Sequence, residues 1–286
     1  VVDHSTISAL ATEQFARRFT ALPPRPVSRP QGPRVPSRYA TELGTLFAGK
    51  PIGILPGWSG ASVLWLADAD LELRELSPED LLRPDLLHPT ILPVLLYASH
   101  ERYCQTVRDP GDADRALLNY LRAGGTLVVM STGPYPFYYN EKGEPVRMAA
   151  TFGLPMGSPR EWLRSEQADP ILVANWEQPP EGVALTFHFD TQALPELPPT
   201  AAFPANGDRR WRPATAAMTA EGDEYEALAT LRDGQGRSYG EGICLVRHVH
   251  SEPRGARVLY VWMRMADVVG RDELMTAIFR LAAGRR

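Results

Sequence analysis

One stretch constrains this chain more than any other: Gly124-Gly125-Thr126-Leu127-Val128-Val129-Met130-Ser131-Thr132-Gly133-Pro134. A helical pattern carrying Leu117, Leu118 and Leu121 runs into Gly-Gly. An apolar run follows, then small residues and a proline. That order predicts a helix, a tight turn, a buried strand and a sharp loop at the strand's C-terminal end. In an open α/β sheet, ligands and chemistry gather at such ends. The stretch therefore says where a site is expected.

Upstream, the same alternation repeats. Pro51-Ile52-Gly53-Ile54-Leu55 reads as a first strand and Pro56-Gly57-Trp58-Ser59-Gly60 as a turn. Ser59 is a candidate cap for a helix from Ala61 to Ala69. Leu71 to Leu76 alternates, as a strand near an edge does. Ser77-Pro78-Glu79-Asp80 carries the residues of a helix start: a capping Ser, a Pro in the first turn and acids at the dipole's positive end. Ile91 to Tyr97 reads as a third strand. Asp109-Pro110-Gly111-Asp112 opens the helix that ends at Gly124. Strands alternating with helices at these lengths predict a mostly parallel, doubly wound α/β sheet.

On either side the texture differs. Residues Ser5 to Phe19 hold Ile7, Leu10, Phe15 and Phe19 at helical spacing, and prolines from Pro23 to Pro36 predict an extended arm. That arm either packs over the domain or docks a partner. Residues 1–49 are thus expected to be a helix and a Pro-rich arm, and residues 50–286 the α/β domain. Residues 134–232 read as a β-rich insertion, with a helix at Arg147–Phe152 and strands at Val183–Phe189 and Tyr225–Leu231. Asp233-Gly234-Gln235-Gly236 is a hairpin signal. Gly242–His250 and Arg257–Met263 read as paired strands, and Asp272–Ala283 as a closing helix.

Charge and cysteine content narrow the function classes. Net charge is −4 and there is no basic run, so nucleic acid is not an expected partner. Lys50 and Lys142 are the only lysines, and the arginine bias reads as genomic base composition. No apolar run reaches the roughly 18 residues of a membrane span. Cys104 and Cys244 are too few for a disulfide framework. A chain starting at Val1 is compatible with a removed leader, so the compartment stays open between cytoplasm and export. No cofactor and no metal are expected.

The order of elements resembles the class I glutamine amidotransferase-like fold, and within it the uncharacterised domains of bacterial, often carbohydrate-associated proteins. The resemblance rests on Leu118-Asn119-Tyr120-Leu121-Arg122-Ala123-Gly124-Gly125-Thr126-Leu127-Val128-Val129 and on Gly255-Ala256-Arg257-Val258-Leu259-Tyr260-Val261-Trp262. It covers roughly Pro51 to Gly133 and Gly242 to Ala283. It implies a flavodoxin-like sheet and a nucleophile elbow, Gly-x-Cys-x-Gly. Laid on this chain, the elbow puts Ser131 at the Cys position, Gly133 at the second Gly and Val129 at the first. The family's His and Glu fall after the strand that ends here in Val261-Trp262-Met263-Arg264. Thiolate and imidazole are both replaced, and a hydroxyl without an adjacent base is a poor nucleophile.

Other constellations compete. His100-Glu101-Arg102 ends the third strand; with Ser131 it forms a triad-like set, Ser131 as nucleophile, His100 as base and Glu101 as orienter, or else an ion-paired loop. Cys104 is a bystander or a thiol that needs a lowered pKa. Gly57-Trp58-Ser59 is a tight turn or an anion cradle at a helix start. Tyr135, Phe137, Tyr138 and Tyr139 floor a ligand pocket or cover the sheet. Arg210, in Asp208-Arg209-Arg210-Trp211-Arg212, grips a carboxylate or sugar or packs on the sheet edge. His248 and His250, two apart, share a strand face as half a metal site or lie on a hairpin rim.

Three functions follow from these sets. The first is a catalytically degenerate amidotransferase-like domain that binds a small-molecule or carbohydrate ligand or assembles within a parent multidomain protein. The second is a hydrolase using Ser131 with His100. The third is a structural module for homo-oligomer formation. The first two share an expected cleft lined by Trp58, Ser59, His100, Glu101, Ser131 and Thr132.

Overall fold

Short apolar runs become the strands of one sheet. The computed structural model describes residues 35–56, 61–98, 108–109, 112–130, 138–139, 145–146, 182–204, 221–250, 254–261 and 265–285. All of them belong to one unit, Gly32–Arg286. In chain order the elements are α1 (Ser37–Leu46), β1 (Ile52–Ile54), α2 (Ala61–Asp68), β2 (Leu73–Glu75), α3 (Pro78–Leu81), β3 (Val94–Tyr97), α4 (Asp112–Arg122) and β4 (Thr126–Val129). They continue with β5 (Tyr138–Tyr139), β6 (Pro145–Val146), β7 (Leu185–Phe189), β8 (Thr200–Ala202), β9 (Glu224–Asp233), β10 (Ser238–Arg247), β11 (Arg257–Val261), α5 (Met265–Val268) and α6 (Arg271–Ala282).

The sheet has nine strands in the order β2-β1-β3-β4-β11-β10-β9-β7-β8. From β2 to β11 every neighbouring pair is parallel. From β11 to β8 every pair is antiparallel. The protein is therefore an α/β fold with a parallel half continued by an antiparallel half. Strands β1, β3 and β4 are buried along their whole length, as strands covered on both faces must be. Strand β2 alternates in exposure and forms an edge, as its sequence pattern predicts. The insertion does not build a separate domain around β7, β8 and β9; these strands extend the main sheet. Strands β5 and β6 form a small antiparallel pair of their own, Tyr138 opposite Val146. The expected helices at Ser5–Phe19 and Arg147–Phe152 and the arm through Arg34 lie outside the described residues.

Chain direction places the helices. The step from β1 to β2 moves one way along the sheet, and those from β2 to β3 and β3 to β4 move the other way. Right-handed crossovers then put α2 on one face and α3 and α4 on the opposite face. Helix α6 shares the side of α2, because Trp65 Nε1 donates to Asp272 Oδ1 at 2.6 Å. Helix α1 docks there too. Its Tyr39 hydroxyl donates to Glu273 Oε1 at 2.7 Å, and Phe47 meets Phe279 edge to face at 6.3 Å. Helix α1 lies inside residues 1–49, where the sequence pattern predicted an arm after one earlier helix.

Local signals decide the element ends. Ser77 accepts the Asp80 backbone N–H, and Asp80 accepts that of Ser77, a reciprocal capping box. Helix α4 ends at Arg122, and the turn after it passes through Gly124, which has φ +88, a conformation that costs glycine little. The next glycine serves a different need. A Cβ at Gly125 would sit 2.2 Å from the Tyr120 ring. That ring cannot yield, because its hydroxyl donates to the carbonyls of Leu92 and Thr126 and it is 1% exposed. Burial raises its phenol pKa.

A buried ion pair ties the insertion to the closing helix. Arg280 Nη2 lies 2.9 Å from Glu196 Oε2 and donates to the Ala193 carbonyl at 2.8 Å. Both side chains are nearly covered, at 10% and 14% exposure. Among the described residues no helix is long and apolar enough to cross a membrane. Two substitutions test this packing. Gly125→Ala should lose about 1–3 kcal/mol through overpacking against Tyr120. Arg280→Ala, which leaves Glu196 uncompensated, should lose about 3–5 kcal/mol. Urea unfolding measures both, and unchanged midpoints would show that neither contact is made.

Candidate functional site

Parallel register brings four strand ends to one level. Ile54 pairs with Leu96, Tyr97 with Val129, and Val129 with Tyr260. The ladder runs one residue further: Leu55 N donates to Leu96 O at 3.0 Å and Met130 N to Tyr97 O at 2.8 Å. Leu55, Ala98, Met130 and Val261 are all buried. They make an apolar base from which four loops leave on the same side. The neighbours of β1 fix where the strand order reverses. The chain leaves β1 for β2 on one flank and for β3 on the other, so the order reverses at β1/β3. Ligands in open α/β sheets bind at such a reversal, outside the carboxyl ends of the strands.

The residues singled out by sequence follow these ends directly in the chain. Gly57, Trp58 and Ser59 come after Pro56; His100 and Glu101 after Ala98; Ser131 and Thr132 after Met130. All of them lie outside the described residues, as do Cys104, Tyr135, Arg210 and Trp262. What the described residues establish is that β3 and β4 are adjacent, parallel and in register at the points of exit. Ser131 and His100 thus start from neighbouring strands at the same end of the sheet.

His248 and His250 do not form the pair that their spacing allows. Strand β10 ends at Arg247, so the two are not alternate residues of a strand. His248 is buried, with Nδ1 3.2 Å from Asp223 Oδ2 and no exposed side-chain surface on either partner. His250 is exposed, and its backbone N–H donates to Asp223 Oδ1 at 2.9 Å. Because β10 runs antiparallel to β11, Arg247 stands opposite Arg257, which pairs with Thr126 at the start of β4. His248 therefore belongs to the end of the sheet opposite the Ser131 exit. Among the described residues no group of His, Cys, Asp and Glu is arranged to hold a metal ion.

A second set of chemistry-bearing side chains lies on the antiparallel half. Strand β10 slips register against β9 between Ser238 and Glu241, between Glu241 and Ile243, and between Ile243 and Cys244. Gly240 there has φ +91, which L side chains rarely adopt. Bulges of this kind re-aim side chains, often next to functional sites. Glu241 is 8% exposed, and its Oε2 accepts a hydrogen bond from the Tyr225 hydroxyl at 2.5 Å. The fully buried Cys244 thiol lies close enough to interact with both Tyr225 and Glu241. Burial raises the Glu241 carboxyl, while the Tyr225 bond and the charge of Arg232 act against that rise. Burial also raises the Tyr225 phenol, helped by Cys244 and Glu241. Cys244 has no exposed surface, and burial pushes its thiol up to about 12.

None of Tyr225, Glu241, Asp223 or His248 is predicted as a site residue by the sequence patterns, apart from the His248–His250 spacing. Glu241 carried a readable signal: a lone acid between two glycines, leading into the apolar run Ile243–Val246. The Asp223–His248 pair carried none, since its members are separated by most of a hairpin. The chain matches no protein-family model, and no curated protein matches it.

The state of Cys244 is directly measurable. A thiol at about 12 is almost wholly protonated near neutral pH and is a weak nucleophile. Iodoacetamide at pH 8 should leave Cys244 unmodified in the folded protein and alkylate it in urea, as read by peptide mass spectrometry. Native-state labelling at the rate of a free thiol would contradict the burial.

Proposed function

We propose that this chain is a class I glutamine amidotransferase-like domain without the family's catalytic triad, acting as a binding or assembly module. The order of the five parallel strands, with β1 and β3 flanking the reversal, supports a flavodoxin-like core. The observation that carries the functional half is chemical. The chain leaves β4 into Ser131, where the family has its thiol, and leaves β11 into Trp262-Met263-Arg264, where the family has its imidazole. Cys244 offers no substitute thiol, being buried within β10 with its pKa pushed up to about 12. An elbow hydroxyl with no adjacent base does not attack amides at neutral pH. What remains is an apolar base at the strand-order reversal, from which the chain runs on through Tyr135, Phe137, Tyr138 and Tyr139, residue types suited to a small molecule or a sugar ring.

One observation favours a second reading, a hydrolase using Ser131, His100 and Glu101. The in-register exit of β3 beside β4 starts Ser131 and His100 from adjacent strands, the arrangement a nucleophile and base need in order to meet.

The two readings diverge on turnover. With glutamine, p-nitrophenyl acetate and simple amides as substrates, the binding-module reading expects rates equal to those of Ser131→Ala. It also expects a rise in melting temperature with a monosaccharide or carboxylate from a defined panel. Turnover that falls by about 100-fold or more in both Ser131→Ala and His100→Ala would overturn it in favour of the hydrolase.

A further inference from the structure

We propose that Glu241 and Tyr225 form a proton-linked latch that sets how firmly the bulged part of β10, and with it the start of α5, is held. Three observations meet at this point. Glu241 is nearly covered, and among the described residues its hydrogen-bond donor is the Tyr225 hydroxyl alone, with no basic side chain within ion-pair distance. It stands where β10 slips register against β9. The next residue, Gly242, is the platform for α5: a Cβ there would lie 2.4 Å from Met265 Cε and 2.9 Å from Phe187 Cε1. Met265 opens α5 and is fully buried. A change in how residues 240–243 sit is therefore felt by the helix that follows the β11 exit.

The charged and titratable groups around the latch are few. From β9 come Tyr225, which donates to the carboxylate, and Arg232, whose charge acts on it from a distance. On β10 itself is Cys244, fully buried and near enough to interact with Tyr225 and Glu241. Strand β11 contributes Tyr260 as the cross-strand neighbour of Cys244. The contacts of Gly242 with β7 and α5, Phe187 and Met265, are apolar. A carboxylate desolvated this far and paired with one neutral phenol is more costly than the neutral acid. Its folded-state pKa lies above its unfolded one. The group's stabilising contribution is thus fully present below the ordinary carboxyl range and is lost as pH rises through the folded value. The bulged segment is held most firmly at acid pH and loosens as Glu241 ionises, the Tyr225 bond offsetting only part of the cost of the buried carboxylate.

Thermal unfolding of wild type, Glu241→Gln and Tyr225→Phe across pH 4 to 8 tests this, together with hydrogen exchange of residues 238–246 corrected for intrinsic rate. Glu241→Gln keeps the shape and cannot ionise. It should melt about 2–4 °C above wild type at pH 8 and lose that advantage at pH 4. Exchange protection of 238–246 should fall with pH in wild type and stay level in Glu241→Gln. Tyr225→Phe removes the carboxylate's one donor, so its deficit against wild type should widen as pH rises. Parallel melting curves for wild type and Glu241→Gln, or protection that is independent of pH in wild type, would overturn the latch.

Discussion

Strand β4 is held by parallel ladders on both sides, to β3 and to β11, with its residues level with theirs. The level of the strand ends on the parallel half depends on this double register. It fixes the height at which β4 releases the chain into Ser131, and it fixes that β3 and β11 release theirs at the same height. A slip of one residue would turn the buried side chains of β4 to the other face. The Gly124-Gly125 turn protects against such a slip, since Tyr120 wedges over Gly125 and bonds the Thr126 carbonyl where the strand begins.

Helix α6 integrates the rest. Tyr39 of α1 and Trp65 of α2 bond the acids of its first turn. Arg280 in its last turn grips Glu196 and Ala193 of the insertion. Arg257 of β11 donates to the carbonyls of Leu281 and Ala282 at the helix's C-terminal end. One helix thus fastens the N-terminal segment, the first crossover and the insertion onto the parallel half of the sheet.

Much of this was legible in the sequence, for physical reasons. Buried strands read as unbroken apolar runs, β2 alternates as an edge does, and Ser77, Gly124 and Asp233-Gly234 carry their turn chemistry openly. The edges of the reading were softer: β3 begins at Val94, after a turn that keeps Ile91 apolar, and β10 stops at Arg247, before the two histidines. Helix α1 was hidden because prolines on its N-terminal side resemble a linker, and its two buried residues, Tyr39 and Leu43, make a narrow stripe. The candidate site was legible only as a place. Strand ends converge by topology, which alternation reveals, whereas the buried Glu241–Tyr225 and His248–Asp223 pairs depend on cross-strand register, which local pattern does not encode.

The proposal turns on the hydroxyl of Ser131, which follows β4 in the chain, having no working base. Reaction with a fluorophosphonate probe, followed by intact-mass and peptide mass spectrometry, measures that most directly, because such probes modify serines activated by a neighbouring base. The account predicts no adduct at Ser131 in the folded protein. A stoichiometric adduct there, abolished by His100→Ala, would contradict it and make the chain a serine hydrolase.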